Sequence, residues 1–368
     1  MTKDRNSRRN FIATLAATGA VATSQLTPFA SFASPPAIFS NADFHTRNPD
    51  DPIRIVSTMK FSSAEVEQIK RACKNVELKI ATDAKDAKQF ADAEVIFGFV
   101  DGAVLSQAKK LKWVQALGAG VDNMPKELAE HPSTLTNMQR IYAPVIAESA
   151  IGLLLSLTRG LTQVSIPAFR ERKWMQAPND VTLDDLNGKT IGMVGMGGIG
   201  SETARRLHYG FGMRVLCTDD KPLPKPDFVE ELHDPSWFME MVPRVDVLMS
   251  AAPLTKVTRG MFNEAVFQKM KTSAYFINVT RGGLVNQEAL VSALKEKRIR
   301  GAGLDVTTPE PLPADSPLWT CPNLVITPHN SGQAPVRQSR LISLIAENVR
   351  RYSNGLPLMN VVDKIKGY

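Results

Sequence analysis

The run Gly195-Met196-Gly197-Gly198-Ile199-Gly200 constrains this chain more than any other feature, because of what flanks it. The apolar stretch Ile191-Gly192-Met193-Val194 before it reads as a buried strand, and residues 199–209 after it read as a helix. A strand that turns into a helix through glycines at these spacings opens a doubly wound α/β sheet and faces phosphates. Gly195 permits the tight turn, Gly197 lets the backbone approach a pyrophosphate, and Gly200 lets helix and strand pack closely. The helix start at Gly198 and Ile199 offers free N–H groups and a partial positive charge. Asp219 ends the next predicted strand, 214–217, where a carboxylate accepts hydrogen bonds from a ribose diol. That carboxylate would repel a 2′-phosphate, which favours NAD over NADP. Lys221 nearby weakens the preference. The competing reading is a glycine turn with a purely structural role.

The rest of the chain follows the same grammar. Apolar runs at 53–56, 76–80, 95–100 and 113–117 alternate with polar stretches, and Ser62-Ser63-Ala64-Glu65 matches a capping box opening a helix to about residue 74. Beyond the glycines, runs at 245–250, 274–278, 303–306 and 324–326 read as short strands, with a helix at 287–297. Alternation of this kind predicts parallel sheets covered by helices on both faces. With 368 residues, two domains are expected. The reading divides them as a substrate domain over residues 53–146, a Rossmann domain over 147–330, and a segment 331–368 that returns to the first. Residues 147–157 are almost all apolar and form a buried helix at the division, too short to span a bilayer.

Composition removes several function classes. Lys and Arg exceed Asp and Glu by 44 − 37 = +7. Lys3, Arg5, Arg8 and Arg9 against Asp4 supply +3 of that, leaving 7 − 3 = +4 over the remainder without a basic run. Nucleic acid is therefore not an expected partner, nor is a membrane surface for the mature form. Cys73, Cys217 and Cys321 are too few and too scattered for a disulfide framework or a metal site, so no metal is expected. The N-terminus reads as an address. Arg8-Arg9 precedes a charge-free stretch, 13–33, that ends on small residues. This has the form of a twin-arginine export signal over residues 1–33, followed by a Pro-rich linker over 34–52. The alternatives are a disordered basic tail and cytoplasmic residence. Export of a folded protein would carry a bound cofactor with it.

Polar residues at ordered distances after the glycines supply a chemistry. Thr327-Pro328-His329 follows an apolar strand, which places His329 at a strand end, where open α/β sheets bind ligands. Histidine is the usual proton donor near neutral pH. Glu310 is suited to stabilise its imidazolium form. Arg281 follows Asn278 at another strand end and can grip a carboxylate with two parallel bonds. Each residue also has a bland reading: Arg281 as a surface ion pair, Asp305 and Glu310 as turn residues, His329 as a satisfied loop histidine.

The motifs together resemble the D-isomer-specific 2-hydroxyacid dehydrogenase family. Leu186-Asn187-Gly188-Lys189-Thr190-Ile191-Gly192 leads into the fingerprint as in that family. Pro253-Leu254-Thr255 with Thr258 is similar to its PLTxxT turn. Asn278, Arg281, Gly282 and Val285 match its NxxRGxxV signature, and Leu304-Asp305-Val306 with Glu310-Pro311 its LDV…EP segment. Thr327-Pro328-His329 and the upstream Gly118-Ala119-Gly120-Val121-Asp122-Asn123 fit too. The resemblance runs from about residue 53 to 362. It implies hydride transfer between NAD(H) and a small D-2-hydroxy acid or its 2-oxo acid, in a cleft between a Rossmann domain and a flavodoxin-like substrate domain. It implies Arg281, Glu310 and His329 as catalytic residues, and the backbone of Ala119 and Gly120 beside Arg281 as carboxylate ligands. It further implies Pro253 near the nicotinamide ribose, Asp305 at the nicotinamide amide, and a homodimer built mainly through the cofactor domains. Within the family, a formate-type enzyme carries Gln where this chain has Glu310, which argues against that branch. The rival from another class is a non-catalytic dinucleotide-binding sensor or interaction module on the same fold. The identity of the 2-oxo acid is not written in these motifs, although Arg140, Tyr142 and residues 331–337 lie where they would tune it.

Overall fold

Two wholly parallel sheets organise the molecule. The computed structural model describes residues 51–83, 85–179 and 181–368. The Arg8-Arg9 pair, the signal-like stretch to residue 33 and the linker through residue 50 lie outside those residues.

The smaller sheet is built from β1 (Ile53–Ser57), β2 (Val76–Ile80), β3 (Val95–Phe97), β4 (Trp113–Gln115) and β5 (Thr134–Thr136) in the order β2-β1-β3-β4-β5. The larger contains β6 (Thr190–Val194), β7 (Arg214–Thr218), β8 (Glu231–His233), β9 (Val247–Ser250), β10 (Tyr275–Asn278), β11 (Gly301–Leu304) and β12 (Leu324–Ile326), in the order β12-β11-β10-β9-β6-β7-β8. Both orders are doubly wound, and each reverses direction once: at β1/β3 in the first sheet and at β6/β9 in the second. A ligand crevice opens at such a reversal, outside the carboxyl ends of the strands. The glycine run leaves the carboxyl end of β6, one of the two strands at the reversal in the larger sheet.

The covering helices are α1 (Ser63–Arg71), α2 (Gly102–Gln107), α3 (Lys126–Glu130), α4 (Ala143–Thr158), α5 (Ile166–Arg170), α6 (Gly198–Phe211), α7 (Phe238–Met241), α8 (Glu264–Lys269), α9 (Gln287–Lys295) and α10 (Arg337–Ser353). The expected capping box is formed at α1: Ser62 N–H donates to Glu65 Oε2 at 2.7 Å, and Glu65 N–H to Ser62 Oγ at 3.4 Å. A cap of this kind stabilises a helix by about 1 kcal/mol. The apolar helix α4 begins at Ala143 rather than at residue 147, since Pro144 fits the first helical turn, where no N–H is needed. α4 packs against α6 and the β10–β12 side of the larger sheet. α10 returns to the smaller sheet, where Gln338 Nε2 donates to Glu65 Oε1 on α1, and Asn348 Nδ2 to Gln115 Oε1 on β4. Trp113, on β4, packs edge-on against Phe97 with ring centroids 5.6 Å apart and donates its Nε1 hydrogen to Thr136 Oγ1. Among the described residues no single helix is long and apolar enough to cross a membrane.

Several strands are shorter than their apolar runs. The 95–100 run pairs only over Val95–Phe97, and the 303–306 run is displaced to Gly301–Leu304. Positive φ at Gly98 ends the first of these pairings. His233 closes strand β8.

Candidate active site

The glycine turn has the steric signature of a phosphate cradle. Gly195 has φ +97°, and a side chain there would stand 2.8 Å from the Ala251 carbonyl oxygen. A Cβ on Gly200 would lie 2.0 Å from the Gly195 carbonyl oxygen, so only glycine lets α6 sit this close to β6. Gly197, the N-cap of α6, faces open space, with nothing closer than Gln139 Nε2 at 3.9 Å. No side chain caps α6. The first N–H groups of the helix, from Gly198 and Ile199, are thus left for a ligand, and this is the donor set a pyrophosphate needs. Asp219, just past β7, accepts from Met196 N–H inside the turn (2.6 Å) and from Lys221 N–H (2.8 Å). It therefore braces the glycine turn while each oxygen keeps acceptor capacity toward a diol.

Arg281 lies just past β10 and is aimed by its neighbours. Its Nε donates to Asp122 Oδ1 at 3.0 Å, and one Nη1 hydrogen to the Thr280 carbonyl at 2.8 Å. A guanidinium has five N–H donors, so its terminal edge stays available for a carboxylate. The Nη2 atom lies over Gly120: a Cβ there would be 2.0 Å away. The loop after β4, with Ala119 and Gly120, is thereby brought against Arg281, as the expected carboxylate site requires. Asp122 is the site residue that motif reasoning missed. It lay inside the Gly118–Asn123 match, but its pairing with Arg281 spans 159 positions and leaves no local trace.

His329 and Glu310 form a dyad. The Nδ1 of His329 donates to Glu310 Oε2 at 2.7 Å, and Thr307 N–H donates to Glu310 Oε1 at 3.0 Å. A carboxylate on Nδ1 fixes the tautomer and leaves Nε2 facing outward, with no partner among the described residues. His131, His208 and His233 instead bond to nearby Ser133, Met213 and Glu231. Gly282 packs against the Thr307 backbone, where a Cβ would meet the carbonyl oxygen at 2.0 Å. That contact joins the Arg281 loop to the loop supporting Glu310.

Asp305 is 1% exposed and spends its carboxylate on the histidine loop. It accepts from Thr327 Oγ1 at 2.6 Å, Asn330 N–H at 3.1 Å and Ser331 N–H at 3.1 Å. Pro253 is exposed just beyond β9, its carbonyl bonded by Thr258 Oγ1 at 2.6 Å. Arg281, Asp305, Glu310, His329, Pro253 and the glycines thus all emerge from carboxyl ends of strands in one sheet, with Ala119 and Gly120 brought to Arg281 from the other. Among the described residues no cluster of His, Cys, Asp and Glu is suited to hold a metal ion.

Sequence and fold comparisons point to one family. The profile of the NAD binding domain of D-isomer specific 2-hydroxyacid dehydrogenases matches residues 151–331. The chain is 35% identical over 274 residues to the glyoxylate reductase of Korarchaeum cryptofilum, covering 72% of this chain and 80% of that one. It is 32% identical over 293 residues to glyoxylate/hydroxypyruvate reductase B of Klebsiella pneumoniae, covering 78% and 90%. A D-isomer specific 2-hydroxyacid dehydrogenase from Xanthobacter autotrophicus Py2, solved in complex with NADPH and MES, matches with a TM-score of 0.73 and 26% identity, over 86% of this chain and all of that one.

Proposed function

The chain belongs to the D-isomer specific 2-hydroxyacid dehydrogenase family, and we propose that it reduces small 2-oxo acids of the glyoxylate and hydroxypyruvate class with NADH. It is an oxidoreductase of small hydroxy and oxo acids. The observations that carry the reading are an open guanidinium edge on Arg281 and, beyond the same end of the larger sheet, a carboxylate-backed His329 whose Nε2 has no partner among the described residues.

Arg281 and the Ala119–Gly120 backbone hold the substrate carboxylate. Arg281 also offsets negative charge that develops on the carbonyl oxygen. Nε2 of His329 delivers the proton to that oxygen, and Glu310 steadies the imidazolium that precedes delivery. Asp122 holds the arginine in place, and Asp305 holds the histidine loop. The bound dinucleotide supplies the hydride. Asp219 favours NAD by repelling a 2′-phosphate. The Xanthobacter relative was solved with NADPH, so the preference rests on Asp219 rather than on the family. Glu310, not Gln, at the histidine supports an alcohol-forming reaction over formate oxidation.

Two further parts of the reading concern the protein's setting. Beyond α4 a π-helical turn, Leu161–Ser165, and α5 bend away by 62°. This arm and the segment after it expose Leu161, Ile166, Phe169, Trp174, Met175 and Leu183, with Trp174 98% exposed. Such a patch on the cofactor-domain side fits a second copy of this chain. The Arg8-Arg9 stretch supports export in the folded state.

The test is NADH oxidation by the full chain across a panel of 2-oxo acids, with His329→Ala beside it. The expected result is turnover on small acids, reduced about 10²–10⁴-fold in the variant, with NADH affinity retained. Tight NADH binding without turnover on any acid would replace the enzyme reading with a dinucleotide sensor.

A further inference from the structure

A second set of contacts lies at the opposite end of the cofactor crevice. Segment 363–368 leaves the smaller sheet and reaches the end of β7. It is anchored first on the substrate side. Val362 N–H donates to the Leu135 carbonyl at 2.8 Å. Lys364 Nζ donates to the carbonyls of Leu128 (3.2 Å), Ser133 (3.0 Å) and His131. Asp363 Oδ1 then accepts from the N–H groups of Ile365 and Lys366 at 2.9 and 3.0 Å, which folds the segment into a turn. The turn delivers two side chains to one carboxylate oxygen. Lys366 Nζ lies 2.9 Å and the Tyr368 hydroxyl 2.5 Å from Asp220 Oδ2. Lys221 Nζ sits 4.9 Å over the Tyr368 ring.

Asp220 directly follows Asp219, the residue read as the ribose-diol acceptor. The charged groups at this corner are Asp219, Asp220 and Asp363 against Lys221 and Lys366, with Asp363 accepting from Lys366 N–H. Loss of Lys366 makes the corner more negative by one charge. Asp220 is held below the usual carboxylate range by its bonds to Tyr368 and Lys366, so it stays ionised and its masking depends on the lysine.

We propose that Lys366 is a specificity-determining residue for the dinucleotide, because by neutralising Asp220 it sets how strongly the adenosine-ribose corner rejects a 2′-phosphate. The inference rests on the dinucleotide reading above and adds a residue far from the glycine turn in sequence. Asp219 supplies the rejection and Lys366 limits it. The pair is half-exposed, so the effect is electrostatic tuning rather than a large contribution to stability.

The experiment is equilibrium binding of NADH and of NADPH, read by nucleotide fluorescence, to the full chain and to Lys366→Met, Asp220→Asn and the double variant. Lys366→Met should weaken NADPH about three- to tenfold, since a phosphate carries nearly two charges, and leave NADH within about twofold. Asp220→Asn should shift the ratio the other way. The double variant restores the wild-type net charge and should restore the wild-type ratio. Raising salt to about 0.5 M should shrink every difference, as screening requires. Tyr368→Phe removes a bond to the same oxygen without changing charge, and should leave the ratio within about twofold. Equal weakening of both nucleotides by Lys366→Met, or shifts of the same sign from the two single variants, would show a merely structural segment and overturn the proposal. Absence of any dinucleotide binding to the unmodified chain would instead overturn the dinucleotide reading itself.

Discussion

His329 sits at φ +50°, in the left-handed region that a residue with a Cβ enters at a cost of roughly 1–2 kcal/mol. The three donors that Asp305 accepts, from Thr327, Asn330 and Ser331, surround this residue and hold it there. Its own N–H donates to the Asp305 carbonyl at 2.8 Å. A buried carboxylate has thus been used to fix the direction of an exposed imidazole. The partner carboxylate has a different task, and Glu310→Gln separates the two. An amide still accepts from Nδ1 but no longer stabilises the imidazolium. Reduction draws its proton from that form, so the reductive kcat of the variant should fall, while oxidation of the hydroxy acid suffers less. An unchanged reductive kcat on substitution would remove Glu310 from the proton path. At Arg281 the change to Ala should lower kcat about 10²–10³-fold. Arg281→Lys should recover little of this, because a point charge cannot both hold Asp122 and present a planar edge.

Among the elements, the β6–turn–α6 unit is the one whose sequence and geometry agree in most detail. The helix packs so closely on its strand that Gly200→Ala would drive a methyl to 2.0 Å from backbone. The expected outcome is a helix displaced from the turn, with NADH affinity lost at least about tenfold and a lower melting temperature. Gly210→Ala, on the same helix with nothing within 4 Å of the added methyl, is the control and should be neutral or mildly stabilising. Other elements were less legible. Strands β5 and β8 have three residues each and are edge strands. Neither Thr134-Leu135-Thr136 nor Glu231-Leu232-His233 carries enough apolar pattern to stand out, because an edge strand is defined by its neighbour rather than by its own burial. Helix α10 is strongly amphipathic, yet its place against α1 comes from contacts such as Gln338 to Glu65, 273 positions apart.

At the level of the whole molecule, the proposed arm beyond α4 predicts self-association. Trp174→Glu combined with Phe169→Glu should convert a dimer to a monomer in sedimentation while leaving the folded core intact, since both side chains are largely exposed in the single chain. A parent chain that already sediments as a monomer at micromolar concentration would remove the arm's assigned role. The sequence by itself determined the parallel α/β class, the glycine turn between β6 and α6, and the placement of Arg281, Glu310 and His329 beyond strand ends, because each rests on local order: apolar period, glycine spacing, or position just after a strand. Tertiary structure alone decided how those residues are aimed. Asp122 against Arg281, Asp305 beneath the histidine loop, and Lys366 on Asp220 join positions 159, 25 or 26, and 146 apart. Such pairings arise only when chain closure brings remote strand ends together. Hydrogen-bond direction and charge balance at those ends have no period along the chain by which they could be read beforehand.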